Sequence, residues 1–259
     1  MHCYCSPEVT EGEKSMKIAV ISDIHANMTA LKTVLEDIKA NNCDKIFCLG
    51  DLAMAGPQPN ETVDFIRSQN DWTIIQGNTD KMLAECSKEL IENTKKVFPV
   101  MGKSLEDDDK TITDTNREYL KNLPAQKELE IEGVKILLVH GSPRRNNEDI
   151  LPNIPIEKVE EIIAGVDADL ILCGHTHMPA GYQTNSKQTV INDGSVGRPM
   201  TEDVKSCYLI LNIQDGGFEA EHRLLDYDRE TAAKIIKARG FDGAEDLAKM
   251  LTQQSPRHA

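Results

Sequence analysis

Short apolar runs, each closed by a polar, glycine-bearing turn, set the rhythm of the chain. Lys17–Ser22, Lys45–Leu49, Trp72–Gln76, Val134–Val139 and Asp169–Cys173 are near-continuously apolar, the pattern of strands covered on both faces of a sheet. Helical periodicity alternates with the early runs. Leu31, Val34, Leu35 and Ile38 recur at i, i+3, i+4 and i+7 and place one apolar face on a helix over Thr29–Ala40. The same reasoning predicts helices over Glu61–Gln69, Lys81–Thr94, Asp114–Asn122, Pro155–Ala164, Arg229–Arg239 and Ala244–Gln253. Beyond Thr189 the habit changes: Thr189–Asn192, Cys207–Ile213 and Phe218–Leu225 are strands without long helices between them, an antiparallel signature. An α/β start with a β-rich finish predicts an α/β fold of two packed sheets flanked by helices. Phe98–Thr113 carries no clear period, and its acidic run Glu106–Asp109 is expected in a solvated loop.

Composition narrows the class. With 259 residues the chain can bury a substantial core. We expect a single domain over residues 16–253, a helical lid over 81–130 that selects substrate, a flexible extension over 1–15 and a loose tail over 254–259. His2, Cys3 and Cys5 are read as part of a frayed terminus in preference to a metal-binding tip, and Trp72 and Phe98 as core aromatics in preference to stacking on a base. No stretch approaches the roughly 20 apolar residues of a membrane-spanning helix. The first residues lack the apolar centre of a secretory signal. Seven cysteines, an odd number scattered along the chain, suit a reducing setting. A cytoplasmic location without membrane partners is therefore expected. The net charge of −14 opposes electrostatic binding to duplex nucleic acid but leaves a small phosphorylated substrate open.

The chemistry lies where the apolar runs end. They close on Asp23-Ile24-His25, Gly50-Asp51, Gly77-Asn78-Thr79-Asp80, His140-Gly141 and Gly174-His175-Thr176-His177. Each buried strand thus delivers a carboxylate, amide or imidazole at its carboxyl end, the edge at which open α/β sheets hold ligands. A D-x-H triplet or an isolated His means little alone. Four of the seven histidines at strand ends beside Asp and Asn point to metal binding. Imidazole, carboxylate and amide oxygen without thiolate suit Mn, Fe, Zn, Co or Ni, not a cysteine-rich structural zinc. Seven donors exceed the needs of one ion and suit two, with one carboxylate bridging.

In these motifs the sequence resembles the calcineurin-like metallophosphoesterases from Met16 to about Leu225. Its Asp193-Gly194-Ser195-Val196-Gly197-Arg198-Pro199 and Gly141-Ser142-Pro143-Arg144 segments resemble the small bacterial and archaeal phosphodiesterase branch. The resemblance implies a four-layer α-β-β-α sandwich of two mixed sheets. It implies that Asp23, His25 and His177 hold one divalent ion, that Asn78, His140 and His175 hold a second, and that Asp51 bridges; manganese is the expected metal, with Fe, Ni, Co, Zn or Mg as substitutes. It also implies in-line hydrolysis of a phosphodiester or phosphoanhydride, nucleotides included, by a metal-bound hydroxide. Asp51, Asn78 and Asp80 are then the candidate catalytic residues, and Asn27, Thr79, Arg144 and Arg198 the candidate substrate contacts. The family often forms homo-oligomers. Its third motif normally carries His where Thr79 stands, so a proton donor to the leaving alkoxide is missing. Two alternatives stay open: a phosphatase of protein Ser/Thr or other monoesters, and a non-catalytic interaction scaffold of the same fold.

Overall fold

The computed structural model describes residues 3–5 and 15–254. Six strands form the first sheet: β1 (Cys3–Cys5), β2 (Met16–Ile21), β3 (Lys45–Cys48), β4 (Thr73–Ile74), β10 (Ser206–Gln214) and β11 (Gly217–Leu225), in the order β1-β11-β10-β2-β3-β4. The second sheet holds β5 (Gln126–Ile131), β6 (Val134–Val139), β7 (Leu170–Cys173), β8 (Ala180–Gln183) and β9 (Thr189–Asn192), ordered β5-β6-β7-β9-β8. Both sheets are mixed. The strands that end in the polar motifs run parallel, β2-β3-β4 in one sheet and β6-β7-β9 in the other. Antiparallel β10 and β11, and the edges β5 and β8, complete them.

Residue alternation explains the layering. On β2, Ile18 and Val20 enter the core between the sheets, where they meet Phe47, Leu49, Leu138 and Leu172. Ala19 and Ile21 point the other way into a helical layer. That layer comprises α1 (Met28–Ala40), α2 (Pro59–Arg67), α3 (Asn78–Ala84), α4 (Lys88–Val97), α5 (Pro99–Thr111), α6 (Asp114–Lys121), α8 (Arg229–Arg239) and α9 (Ala244–Thr252). On the far side, α7 (Ile156–Ile162) covers Leu137, Val139 and Ile171 with Val159 and Ile162. A period of two on each strand thus feeds two cores at once, and the result is the expected four layers.

The structure corrects several expectations. Phe98–Thr113 is mostly helix α5, and Glu106–Asp109 lies on it rather than in a solvated loop, with Asp108 fully buried. Gln126–Glu130 leaves the predicted lid to form β5, an edge strand with only Leu129 and Ile131 on its inner side. At the amino end, Cys3–Cys5 pairs antiparallel with Glu219–Glu221, so those three residues belong to the sheet. Residues 1–2, 6–14 and 255–259, where a flexible extension and tail are expected, lie outside the described residues. No helix of the described residues is long and apolar enough to cross a membrane.

Candidate metal centre

The parallel strands of both sheets end at one rim, and the loops there are tied together by main-chain bonds. Asp23 N donates to Gly50 O (3.0 Å), His25 N to Asp51 O (2.9 Å), and Gly174 N to His140 O (2.8 Å). Five residues of the rim, Asp23, His25, Asp51, His175 and His177, are held at φ between 45° and 66°. A left-handed backbone costs a non-glycine residue of order 1–3 kcal/mol, and such strain concentrates where side chains must be aimed. Glycine is required beside it, because a Cβ on Gly77 would overlap the Asp51 carboxylate and one on Gly174 would overlap Asp23 Oδ2.

The aim is convergent. Asp23, His25, Asp51 and His177 bring one ligand atom each to within 4.8 Å of one another. His25 Nδ1 lies 2.7 Å from Met54 O, His140 Nδ1 2.7 Å from Leu49 O, and His177 Nδ1 2.6 Å from Arg198 O. A carbonyl only accepts, so each Nδ1 carries the proton and each Nε2 faces the rim. Asp51 lies between two donor groups: Oδ2 is 3.6 Å from His25 Nε2, and Oδ1 is 3.4 Å from His140 Nε2. On the second side, Asn78 Oδ1 is 3.0 Å from His140 Nε2, and the His175 ring is 5.2 Å from the His140 ring.

These donors fit divalent cations. The buried Asp23 Oδ1 has no hydrogen-bond partner among the described residues. It lies 3.2, 3.8 and 3.9 Å from the Nε2 atoms of His177, His25 and His140. His25 Nε2 and His177 Nε2 face each other at 3.2 Å, an arrangement that a cation between them would satisfy. The field agrees. Burial lowers the His140 imidazole, yet the Asp51 and Asp23 carboxylates overcome it and bring it up to about 10. Burial and the His177 and Arg198 charges push His25 down to about 4, which keeps its lone pair. Burial raises Asp23 and Asp51, but the surrounding imidazoles hold both well below the carboxylate range.

All seven predicted ligands stand at this rim, while the other predicted contacts divide. Arg198 lines the same cavity, with Nη1 2.9 Å from Met101 Sδ and Nη2 3.2 Å from Met250 Sδ. Thr79 also lines it, and its N–H donates to Asp51 Oδ1 at 2.9 Å from the first turn of α3. Asp80, expected as a catalytic residue, is engaged with the backbone of the strand-end loops. Its carboxylate accepts from the backbone of Asp51, Leu52 and Gly77, and burial next to Asp51 raises it to about 7. Asn27 is not brought to the site: its Oδ1 caps α1 at Ala30 N and its amide donates to Gly197 O and Tyr227 Oη. Arg144 faces away, paired with Glu148 at 2.6 Å and Glu161 at 3.6 Å. Phe98 is not core but 40% exposed on the cavity wall, while Trp72 packs edge-on against Phe65.

Other contributors stand outside the expected site residues. Asp149 Oδ1 lies 3.1 Å from His175 Nε2, the carboxylate-to-imidazole contact that orients metal ligands. Ser22 Oγ lies 2.7 Å from both Asp23 Oδ2 and Asp193 Oδ1. Asp149 sits in a loop, and nothing in its neighbours marks it. Asp193 stands in the Asp193–Pro199 segment that already draws attention.

The chain belongs to the calcineurin-like phosphoesterase superfamily: residues 16–216 match the sequence profile of its domain. That makes it a member of a metal-dependent phosphoester hydrolase family. It is 34% identical over 241 residues to an uncharacterized protein of Methanocaldococcus jannaschii, covering 87% of this chain and 94% of that one. Its fold is similar to a crystal structure of a metallophosphoesterase from Sphaerobacter thermophilus, with TM-score 0.75 and 24% identity over 93% of this chain and 100% of that chain. It is also similar to a hypothetical protein from Pyrococcus horikoshii, with TM-score 0.81 and 22% identity over 93% and 99%. Helices α8 and α9 lie beyond the matched segment.

Proposed function

We propose that the protein is a dinuclear metal-dependent phosphoesterase that hydrolyses phosphodiesters or phosphoanhydrides of small molecules. One observation carries this reading: the two oxygens of Asp51 face His25 on one side and His140 on the other. Asp23, His25 and His177 would hold one ion and Asn78, His140 and His175 the second, with Asp51 shared. When bound, such ions, with Mn first among them, neutralise phosphoryl oxygens and supply an activated water near neutral pH.

The chain's own groups do the rest. Main-chain carbonyls fix the three imidazoles, and Asp80 and the Thr79 N–H fix Asp51, so the donors need no rearrangement during the reaction. Arg198, whose charge already lowers the His25 pKa, supplies a cation to non-bridging phosphoryl oxygens. Thr79 offers a hydroxyl rather than an acid, so the departing oxygen leaves unaided and does so readily only when its own pKa is low. Activated diesters and anhydrides are therefore preferred over alkyl monoesters.

The test is turnover with Mn, and with Ni, Co and Mg, of p-nitrophenyl monoester, bis-p-nitrophenyl diester, cyclic nucleotides, diadenosine polyphosphates and an alkyl series. Steep loss of kcat as leaving-group pKa rises is expected. Equal rates for aryl and alkyl esters would overturn the leaving-group argument, and inertness under every metal would overturn the enzyme.

A further inference from the structure

The donor cluster occupies only the floor of a cavity of about 530 Å³, a volume in the range of small-molecule sites. Its wall is of another character. Met54, Met82, Val97, Phe98, Met101 and Met200 line it, contributed by the loop after β3, by α3, by the α4–α5 junction and by the loop before β10. Among the described residues the exposed large hydrophobics are Val97 at 66%, Phe98 at 40% and Leu224 at 46%. The first two stand side by side on this wall. Exposing them carries a hydrophobic cost at the point where the Phe98 N–H closes the last turn of α4 by donating to Thr94 O at 2.7 Å.

We propose that this wall is a subsite for an uncharged planar aromatic substituent of the phosphoester. The inference rests on the reading that the floor binds the phosphoryl group. Met82, Met101 and Met200, each partly exposed, add thioethers to the lining that carries the Phe98 ring, a polarisable, adaptable surface on which sulfur–aromatic contacts favour a ring over an alkyl chain. Outside the seven donors, the charged residues lining the cavity are Arg198 and Asp149. Arg198 suits the phosphoryl oxygens and Asp149 faces His175, which leaves the apolar wall to a neutral group. An aromatic alcohol also needs the acid absent at Thr79 less than an alkyl alcohol does.

Binding of two non-hydrolysable anions tests the subsite without requiring turnover. Calorimetric titration of the Mn-loaded protein should give phenylphosphonate about tenfold tighter affinity than methylphosphonate. Phe98→Ala and Val97→Ser, both at exposed positions, should bring that ratio to about twofold or less with methylphosphonate affinity unchanged. Equal affinities in the unaltered protein, or a ratio that survives Phe98→Ala, would overturn the subsite while leaving the phosphoryl site standing. Failure of both anions to bind would contradict phosphoryl binding at the floor and the subsite with it.

Discussion

The Asp80 carboxylate holds the backbone of Asp51 in place: Oδ2 accepts from Asp51 N and Oδ1 from Leu52 N, each at 2.8 Å. The same Oδ2 takes Gly77 N at 2.9 Å, so one buried group fixes two of the strand-end loops. Asp80 is therefore a positioning residue. Asp80→Asn leaves one of these N–H groups facing an amide donor, at a cost of about 1–3 kcal/mol. Mn affinity should fall roughly 10- to 100-fold. Calorimetry with Mn beside urea unfolding of the same variant checks both. Full Mn affinity in a destabilised variant would make Asp80 a purely structural residue.

A second clamp reaches the metal loop from helices outside the matched family segment. Arg239 of α8 pairs with Asp107 at 2.5 Å and the buried Asp108 at 2.6 Å, and donates to Gly56 O at 2.6 Å. Asp108 also accepts from Ala55 N, next to the Met54 carbonyl that orients His25. Removing one partner of a buried pair strands the other, at about 3–5 kcal/mol. Arg239→Gln should lose that much stability in urea unfolding, and the double variant with Asp108→Asn should lose less than the sum.

Gly77 is the rim glycine packed directly against the Asp51 carboxylate. A methyl there meets the Asp51 carboxylate and backbone, so Gly77→Ala should displace Asp51 and lower Mn affinity at least about 100-fold. Gly165, at φ +84° with open space around it, serves as the control. Gly165→Ala should cost about 1–2 kcal/mol of backbone strain and leave Mn binding intact, as read by calorimetry and thermal melting.

Acid should weaken one named element of the fold. Arg144, joined by Ser142 and Arg145, overcomes partial burial to hold the Glu148 carboxyl down at about 2 from its ordinary 4.5. A carboxyl depressed by folding stabilises the protein above its unfolded pKa and loses that contribution as pH falls toward the folded one. The stability gap between the unaltered protein and Glu148→Gln should be constant above about pH 5.5 and close between about pH 4.5 and 2. Its size is at most about 3 kcal/mol, less whatever solvent screens at the exposed Arg144. A gap that widens in acid would contradict the assignment.

Much of the site was legible because each ligand ends an apolar run, and sheet geometry carries all such ends to one rim. The seven candidate ligands needed only that logic and a resemblance in five short motifs. Side-chain direction was not legible. Asn27 follows the first motif, but its amide caps α1 and ties Gly197. Arg144 is captured by Glu148 four residues further on in the loop after β6, where no helical spacing marks the pairing. Helix α5 escaped because its buried face carries Gly102, Ser104 and Asp108 beside Leu105. Gly102 admits the backbone of Lys95 there, and Asp108 makes sense only against Arg239, 131 residues away. The edge strand β5 escaped because charged residues alternate with just two core positions.

Two ions sharing Asp51 is the claim on which the catalytic reading depends. Elemental analysis of the Mn-loaded, dialysed protein measures it directly. Two equivalents of Mn per chain are expected, falling to one or none in Asp51→Asn with the fold retained by circular dichroism. One equivalent in the unaltered protein, or two that persist in Asp51→Asn, would contradict it.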